Sequence, residues 1–211
     1  MRNKHPEITV EKILVASKNL FIEKGYDQTT IQDIVEELGG LTKGAVYHHF
    51  KSKEDILTAL LKEMFAASNP FAIVKARNDL NGLQKIQEAM MLNRANEEKS
   101  DLSNQTVPLL DNPRILAGLI KSNQEMLTPQ ILELIEEGKA DGSINTQYAK
   151  ELAELFSLLE LWMIPSLYPM TEIDMKRKIC FMKDLFEAMG LPLFNDEIVK
   201  MIDLWFQEVS D

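Results

Sequence analysis

Hydrophobic residues recur along this chain with the period of a helix. Val10, Ile13, Leu14, Leu20 and Phe21, together with Ser17, share one face of a 3.6-residue repeat, and Gly25 marks where that helix should stop. Thr29 or Thr30 can cap the next helix, with Asp33 completing a shortened capping box and Ile31, Ile34, Val35 and Leu38 forming the buried face. Gly39-Gly40 ends it. Thr42 can cap a short helix through Lys43 to His49. Ser52 with Asp55 can cap a fourth, whose apolar side holds Ile56, Leu57, Leu60, Leu61, Met64 and Phe65. Four helices thus fit the first sixty-odd residues. The second and third are separated by Gly39-Gly40-Leu41, the length of a helix-turn-helix turn.

Beyond Ser68-Asn69-Pro70 the pattern stays helical. Turn signals stand at Asn81-Gly82, Asp111-Asn112-Pro113, Thr128-Pro129, Asp141-Gly142 and Pro165 to Pro169. No strand-like alternation is convincing, so the expected fold is all-α. Tyr148 to Ile164, Ile173 to Met189 and Asp196 to Val209 are the clearest late helices. In the first, Leu152, Leu155, Phe156, Leu159, Trp162 and Met163 make one stripe while Leu158 and Leu161 lie off it. Ile179, Met182, Leu185, Phe186 and Met189 give it a partner. Two arrangements account equally for so broad an apolar surface: a four-helix seam completed by a second copy, or two central helices of a large monomeric domain.

Composition narrows the class. With 45% hydrophobic and 27% charged residues, the 211-residue chain can bury a real core and is not a disordered one. The lone Cys180 cannot form an internal disulfide, and no apolar run reaches the length of a bilayer span, so a cytoplasmic location with no membrane partner is expected. A net charge of -10 argues against non-specific coating of nucleic acid, but the charge is uneven. Residues 1 to 60 hold eight Lys/Arg against nine Asp/Glu, leaving 15 against 24 for the remainder. Gly39 to Lys53 contains Lys43, Lys51, Lys53, His48 and His49 and no acidic residue.

Residues 25 to 53 read GYDQTTIQDIVEELGGLTKGAVYHHFKSK. Gly25-Tyr26, Thr29-Thr30, Asp33-Ile34, Thr42-Lys43-Gly44, Val46-Tyr47, His49-Phe50 and Ser52-Lys53-Glu54 occur in an order that resembles the TetR family of bacterial regulators. The resemblance covers roughly residues 8 to 60. Gly39-Gly40-Leu41 is one residue longer than the family's commonest turn, which bears on the angle between the second and third helices.

The resemblance implies a helix-turn-helix DNA-binding domain over 1–53 and a larger helical domain over 54–211 for dimerisation and effector binding. The partners it implies are double-stranded operator DNA, a second copy of the chain and a small-molecule effector, with the dimer released from its operator when the effector binds. Gly44 and Ala45 would let the recognition helix approach the major groove, and Lys43 would reach a guanine edge or a phosphate. Tyr47, His49 and Lys53 would hold phosphates, the amide at Thr30 would do the same through the helix dipole, and His48 would point to bases or sugar. Gln32 and Thr42 complete the expected contact set, while Val46 and Phe50 are expected in the core.

The effector is weakly marked. Phe71, Phe156, Trp162, Tyr168, Phe181, Trp205 and the methionines could line a pocket, although plain core is the more ordinary use of such residues. Glu151, Glu154 and Glu160 could meet a cation or simply face solvent. A protein of the same fold whose C-terminal domain binds a protein partner is the alternative. His48 and His49, adjacent on a helix, point about 100° apart and do not form a metal pair. No H-E-x-x-H, C-x-x-C, P-loop or G-x-S-x-G occurs, so neither a cofactor nor catalysis is expected.

Overall fold

In a computed structural model, residues 6–67, 69–95, 107–164 and 167–201 are described. The expected last helix appears over 196–201; its continuation to Val209, with Trp205, lies outside the described residues, as do Pro165 and the side chain of Met64. Among the described residues the fold is carried by α1 (Pro6–Lys24), α2 (Ile31–Glu37), α3 (Lys43–His49), α4 (Lys53–Ala67), α5 (Pro70–Lys75), α6 (Gly82–Ala95), α7 (Pro113–Ser122), α8 (Thr128–Asp141), α9 (Ala149–Trp162) and α10 (Glu172–Ala188). There is no strand among the described residues. The chain is all-α, a helix-turn-helix domain followed by a larger helical domain.

The chain divides into two compact units. One gathers α1 to α4 with α7, the other α5, α6 and α8 to α10.

In the first unit, Ile13, Leu14, Ser17, Leu20 and Phe21 of the α1 stripe are inside as their spacing dictates, while Val10, at its start, is half-buried. They meet Ile34 from α2, Val46 from α3 and Ile56, Leu57 and Leu60 from α4, with Phe50 closing the end of α3. α1 packs on α2 and α4, α2 on α3, and α7 lies along α4. Apolar burial at about 25 cal/mol per Å² holds these short helices, which are too short to persist alone.

The second unit is organised by one close crossing. At Gly82 the first turn of α6 approaches α8 so nearly that a Cβ there would lie 2.2 Å from the backbone nitrogen of Gly138. The first amides of α6 are satisfied by groups at and just beyond the C-terminal end of α8: Gly82 N–H donates to Asp141 Oδ2 at 2.7 Å and Leu83 N–H to Ser143 Oγ at 3.2 Å. One turn on, the buried Lys85 donates to Glu137 at 2.6 Å. Ile131, Leu134 and Ile135 on α8 and Ile86 and Ala89 on α6 fill the core between them.

Two expectations are corrected. Thr128-Pro129 is not a turn: residues 123–127 form a single π turn leading directly into α8, and Pro129 sits in the first turn of α8, where a missing N–H removes no helical bond. On α9 the buried line is Ala149, Leu152, Ala153, Ser157 and Leu161, rotated from the expected stripe because small residues let α8 approach there. Leu155, Leu159 and Trp162 are left half-buried and Leu158 exposed.

Candidate nucleic-acid interface

Side-chain caps define both helices of the helix-turn-helix. At α2, Thr30 Oγ1 accepts from Asp33 N–H at 3.1 Å while Asp33 Oδ2 accepts from Thr30 N–H at 2.7 Å, the reciprocal box that the sequence suggests. Asp33 also accepts from Lys24 Nζ at 2.9 Å. The Thr30 hydroxyl and amide and the Lys24 ammonium together hold the Asp33 carboxyl well below the usual carboxylate range. Thr29 does not cap. It is buried, and its hydroxyl donates back to Gly25 O at 2.8 Å and Leu20 O at 3.1 Å.

α2 ends at Leu38. Gly39 follows at φ 57°, a left-handed conformation that costs a residue with a Cβ more than glycine. The chain then reverses through Gly40 and Leu41 to Thr42, whose hydroxyl oxygen accepts from Ala45 N–H at 3.2 Å. This cap leaves the first turn of α3, with Lys43 and Gly44, facing solvent. Within α3 the side chains divide sharply: Val46 is fully buried, while Lys43, Gly44, Tyr47 and His48 are exposed and Ala45 and His49 half-buried. The rings of His48 and His49 meet edge to face at 5.2 Å, and the described residues include no cluster of three groups suited to a metal ion.

The expected contact residues are therefore gathered on α2, the turn and α3. Thr30, Gln32 and Thr42 are exposed beside Lys43, Gly44, Tyr47 and His48. Several already have partners: the Thr30 N–H and hydroxyl serve Asp33, and Gln32 Nε2 donates to Glu36 Oε1 at 3.0 Å. The Lys53 ammonium is 2.6 Å from Tyr26 O and 2.8 Å from O of Thr29, the residue before Thr30. Sequence reasoning missed what fastens the α1–α2 turn from the other side. Asp27 accepts from Arg114 Nη1 at 2.5 Å and from Asn112 Nδ2 at 2.7 Å. No local pattern could reveal partners more than eighty residues away.

Residues 13–60 match the family described as bacterial regulatory proteins, tetR family. Among curated relatives, the Transposon Tn10 TetC protein of Escherichia coli is 33% identical over 82 residues, 38% of this chain and 41% of that protein. The HTH-type transcriptional regulator QacR of Staphylococcus aureus is 45% identical over 51 residues, 24% of this chain and 27% of that one. The matched stretch thus spans less than half the length of these relatives. A solved structure from Syntrophomonas wolfei, assigned to the same family of transcriptional regulators, superposes with a TM-score of 0.65 at 25% identity, over 92% of this chain and all of the other. The exposed α3, the caps that set it and the match over the same residues agree: through residues 13–60 the chain belongs to the tetR family of bacterial regulatory proteins.

Proposed function

We propose that the chain is a homodimeric cytoplasmic repressor that binds a pseudo-palindromic operator through α2 and α3 and leaves it when a small-molecule effector binds the C-terminal domain. The observation that carries the DNA-binding part is the two-sided character of α3. Val46 and Phe50 anchor it, while Lys43, Gly44, Tyr47 and His48 stand exposed on a segment, Gly39 to Lys53, with no acidic side chain. Such a surface suits the backbone and base edges of a duplex even though the whole chain is acidic. In this reading Thr30, Gln32, Thr42, Lys43, Gly44, Ala45, Tyr47, His48 and His49 border the DNA, with Lys53 at the edge of the same surface. Residues 1–53 hold the DNA, and 54–211 carry the dimer contact and the effector.

The dimer part is supported by apolar surface that a single chain leaves uncovered. On α9 Leu158 is exposed, and on α10 so are Ile173 and Phe181, the latter stacked edge to face on Trp162 at 5.8 Å. A second copy covering these faces would bring two recognition helices to one operator, whose successive major grooves lie about 34 Å apart, one helical turn of B-DNA. An effector that prefers a different spacing would weaken binding by its differential affinity for the two forms, typically about 1–3 kcal/mol.

Binding of the purified protein to a labelled duplex from immediately upstream of its own gene, followed by fluorescence anisotropy at two salt concentrations, tests this reading. Sequence-specific, salt-sensitive binding is the expected result, and equal affinity for a scrambled duplex would reject it. A thermal-shift screen against small molecules then tests effector binding, because a ligand selective for the folded state raises the melting temperature.

A further inference from the structure

A lysine on an apolar helix face ordinarily extends its ammonium into water and leaves only its methylenes behind. Lys178 on α10 does the opposite. It is half-buried, and its Nζ donates to the carbonyl oxygen of Trp162 at 2.8 Å. Trp162 is the last residue of α9, where a carbonyl has no amide of its own helix to accept from. The same ammonium stands 4.6 Å from the centroid of the Trp162 ring and 5.2 Å from that of the Tyr168 ring, distances at which a cation is attracted to an aromatic face. Trp162 in turn meets Phe181 edge to face at 5.8 Å, and Phe181 lies one turn beyond Lys178. One cation therefore joins the end of α9, the connection that follows it and α10.

Tyr168 and Phe181 are exposed, so rings and not the charge form the outer surface of this cluster. Leu158, exposed one turn before Trp162 on α9, extends the same apolar surface. A surface from which the charged group is withdrawn suits an apolar partner, and a two-fold contact sets the same surface of a second copy against it. Further along the two helices Phe156 meets Phe186 at 6.3 Å, so ring contact joins α9 to α10 there and Lys178 joins them at the end nearer their connection. We infer that Lys178 is a positioning residue for dimerisation: its ammonium pins the end of α9 to α10 and holds Trp162, Tyr168 and Phe181 in the arrangement that a second copy meets. The inference rests on the dimer reading above. Without the pin, each chain would have to order this surface as it associates, which costs affinity.

Sedimentation equilibrium of the full chain measures the effect. Methionine keeps the apolar stem of lysine but offers neither charge nor donor, whereas arginine keeps both and stacks on aromatic rings. Lys178→Met should raise the dimer dissociation constant about tenfold, and Lys178→Arg should stay within about twofold of wild type. A role in packing alone would leave methionine as good as lysine. Equal dissociation constants for wild type and Lys178→Met, or an arginine variant as weak as the methionine one, would overturn the inference while leaving the dimer standing. Wild-type protein that stays monomeric at every concentration would instead reject the dimer reading and the inference with it. Should Lys178→Met fail to fold, NMR of wild-type protein carrying 13C-lysine decides the matter. The assigned Lys178 ε-methylene signal, moved upfield by the ring currents of Trp162 and Tyr168, is expected in dimer and diluted monomer alike. A signal that loses this shift on dilution would make the contact a product of association and overturn the pin.

Discussion

Thr30 and Asp33 cap each other across the first turn of α2, the threonine oxygen receiving the Asp33 amide at 3.1 Å and the carboxylate receiving the Thr30 amide at 2.7 Å. The pair fixes where α2 begins, and its carboxylate is also tied to Lys24. A helix of only seven residues depends on such an end. Thr30→Ala should lower the unfolding free energy by ~1 kcal/mol in urea titration. The pH dependence follows from the depressed Asp33 carboxyl. Its contribution is complete above the ordinary value of 3.8 and is lost as pH falls below it toward the lower folded value. The wild-type protein should accordingly lose more stability than Asp33→Asn on acidification below about pH 4. Parallel curves would remove the cap from the account.

Lys43 occupies the first turn of α3, exposed, ahead of Gly44. A side chain at the leading end of a recognition helix reads base edges, and a good bidentate contact is worth about 1–3 kcal/mol of discrimination. Lys43→Ala should narrow the difference in affinity between the upstream duplex and single-base variants of it. Uniform weakening across all variants would mark Lys43 as a backbone contact.

The exposed face of α9 bears on assembly. Leu158 is 52% exposed, so an arginine there disturbs little within one chain. Leu158→Arg should leave the far-ultraviolet circular dichroism intact and shift sedimentation from dimer to monomer, since an unpaired charge in an apolar seam is costly. A dimer that survives the change would move the seam to another face.

The helix-turn-helix was legible because its signals are local. Thr30, Thr42 and Ser52 each bond to an amide three residues on, so spacing alone reveals the caps, and Val46 and Phe50 fall inside because a four-residue step keeps them on one helical face. The rest depends on distant parts of the chain. That Lys53 faces the carbonyls of the α1–α2 turn, and that Asp27 meets Asn112 and Arg114, follows from packing that no short window contains. Pro129 misled for a related reason: proline in a first turn is a start signal as readily as a break, and only the π turn before it distinguishes the two. On α9 large residues suggested the buried stripe, but Ala153 and Ser157 face the core, because close helix contact selects for small side chains there.

Gly82 and Gly138 make the α6–α8 crossing sensitive to a single methyl group. A Cβ on Gly82 would meet the backbone nitrogen, Cα and nearby carbonyl of α8 at 2.2 to 2.7 Å, and backbone cannot rotate away as a side chain can. Gly82→Ala should cost at least the 1–3 kcal/mol typical of overpacking and also disturb the bonds from Gly82 to Asp141 and Lys85 to Glu137. Gly118→Ala is the control, since its new Cβ would meet only the Leu61 methyl at 2.9 Å, a group able to turn aside. Thermal melts should show the first variant well below the second. Equal melting temperatures would mean that the helices part more easily than their contact implies.

Tyr26 offers a titration at the opposite end of the pH scale. Burial, and then the Glu54 carboxylate, push its hydroxyl up to about 12 from an ordinary 10.0, while the Arg114 guanidinium opposes them weakly. The folded protein therefore holds the phenolic proton more tightly than the unfolded chain does. The stability tied to that proton is complete below pH 10.0 and is lost as pH rises toward about 12. Tyr26→Phe keeps the ring that stacks on Phe21 and carries Lys53 but has no proton to lose. Urea midpoints measured at about pH 9 and about pH 11 should fall more for the wild type than for Tyr26→Phe. If the two proteins decline alike, the alkaline sensitivity originates elsewhere, and the ring matters to the turn only through its packing.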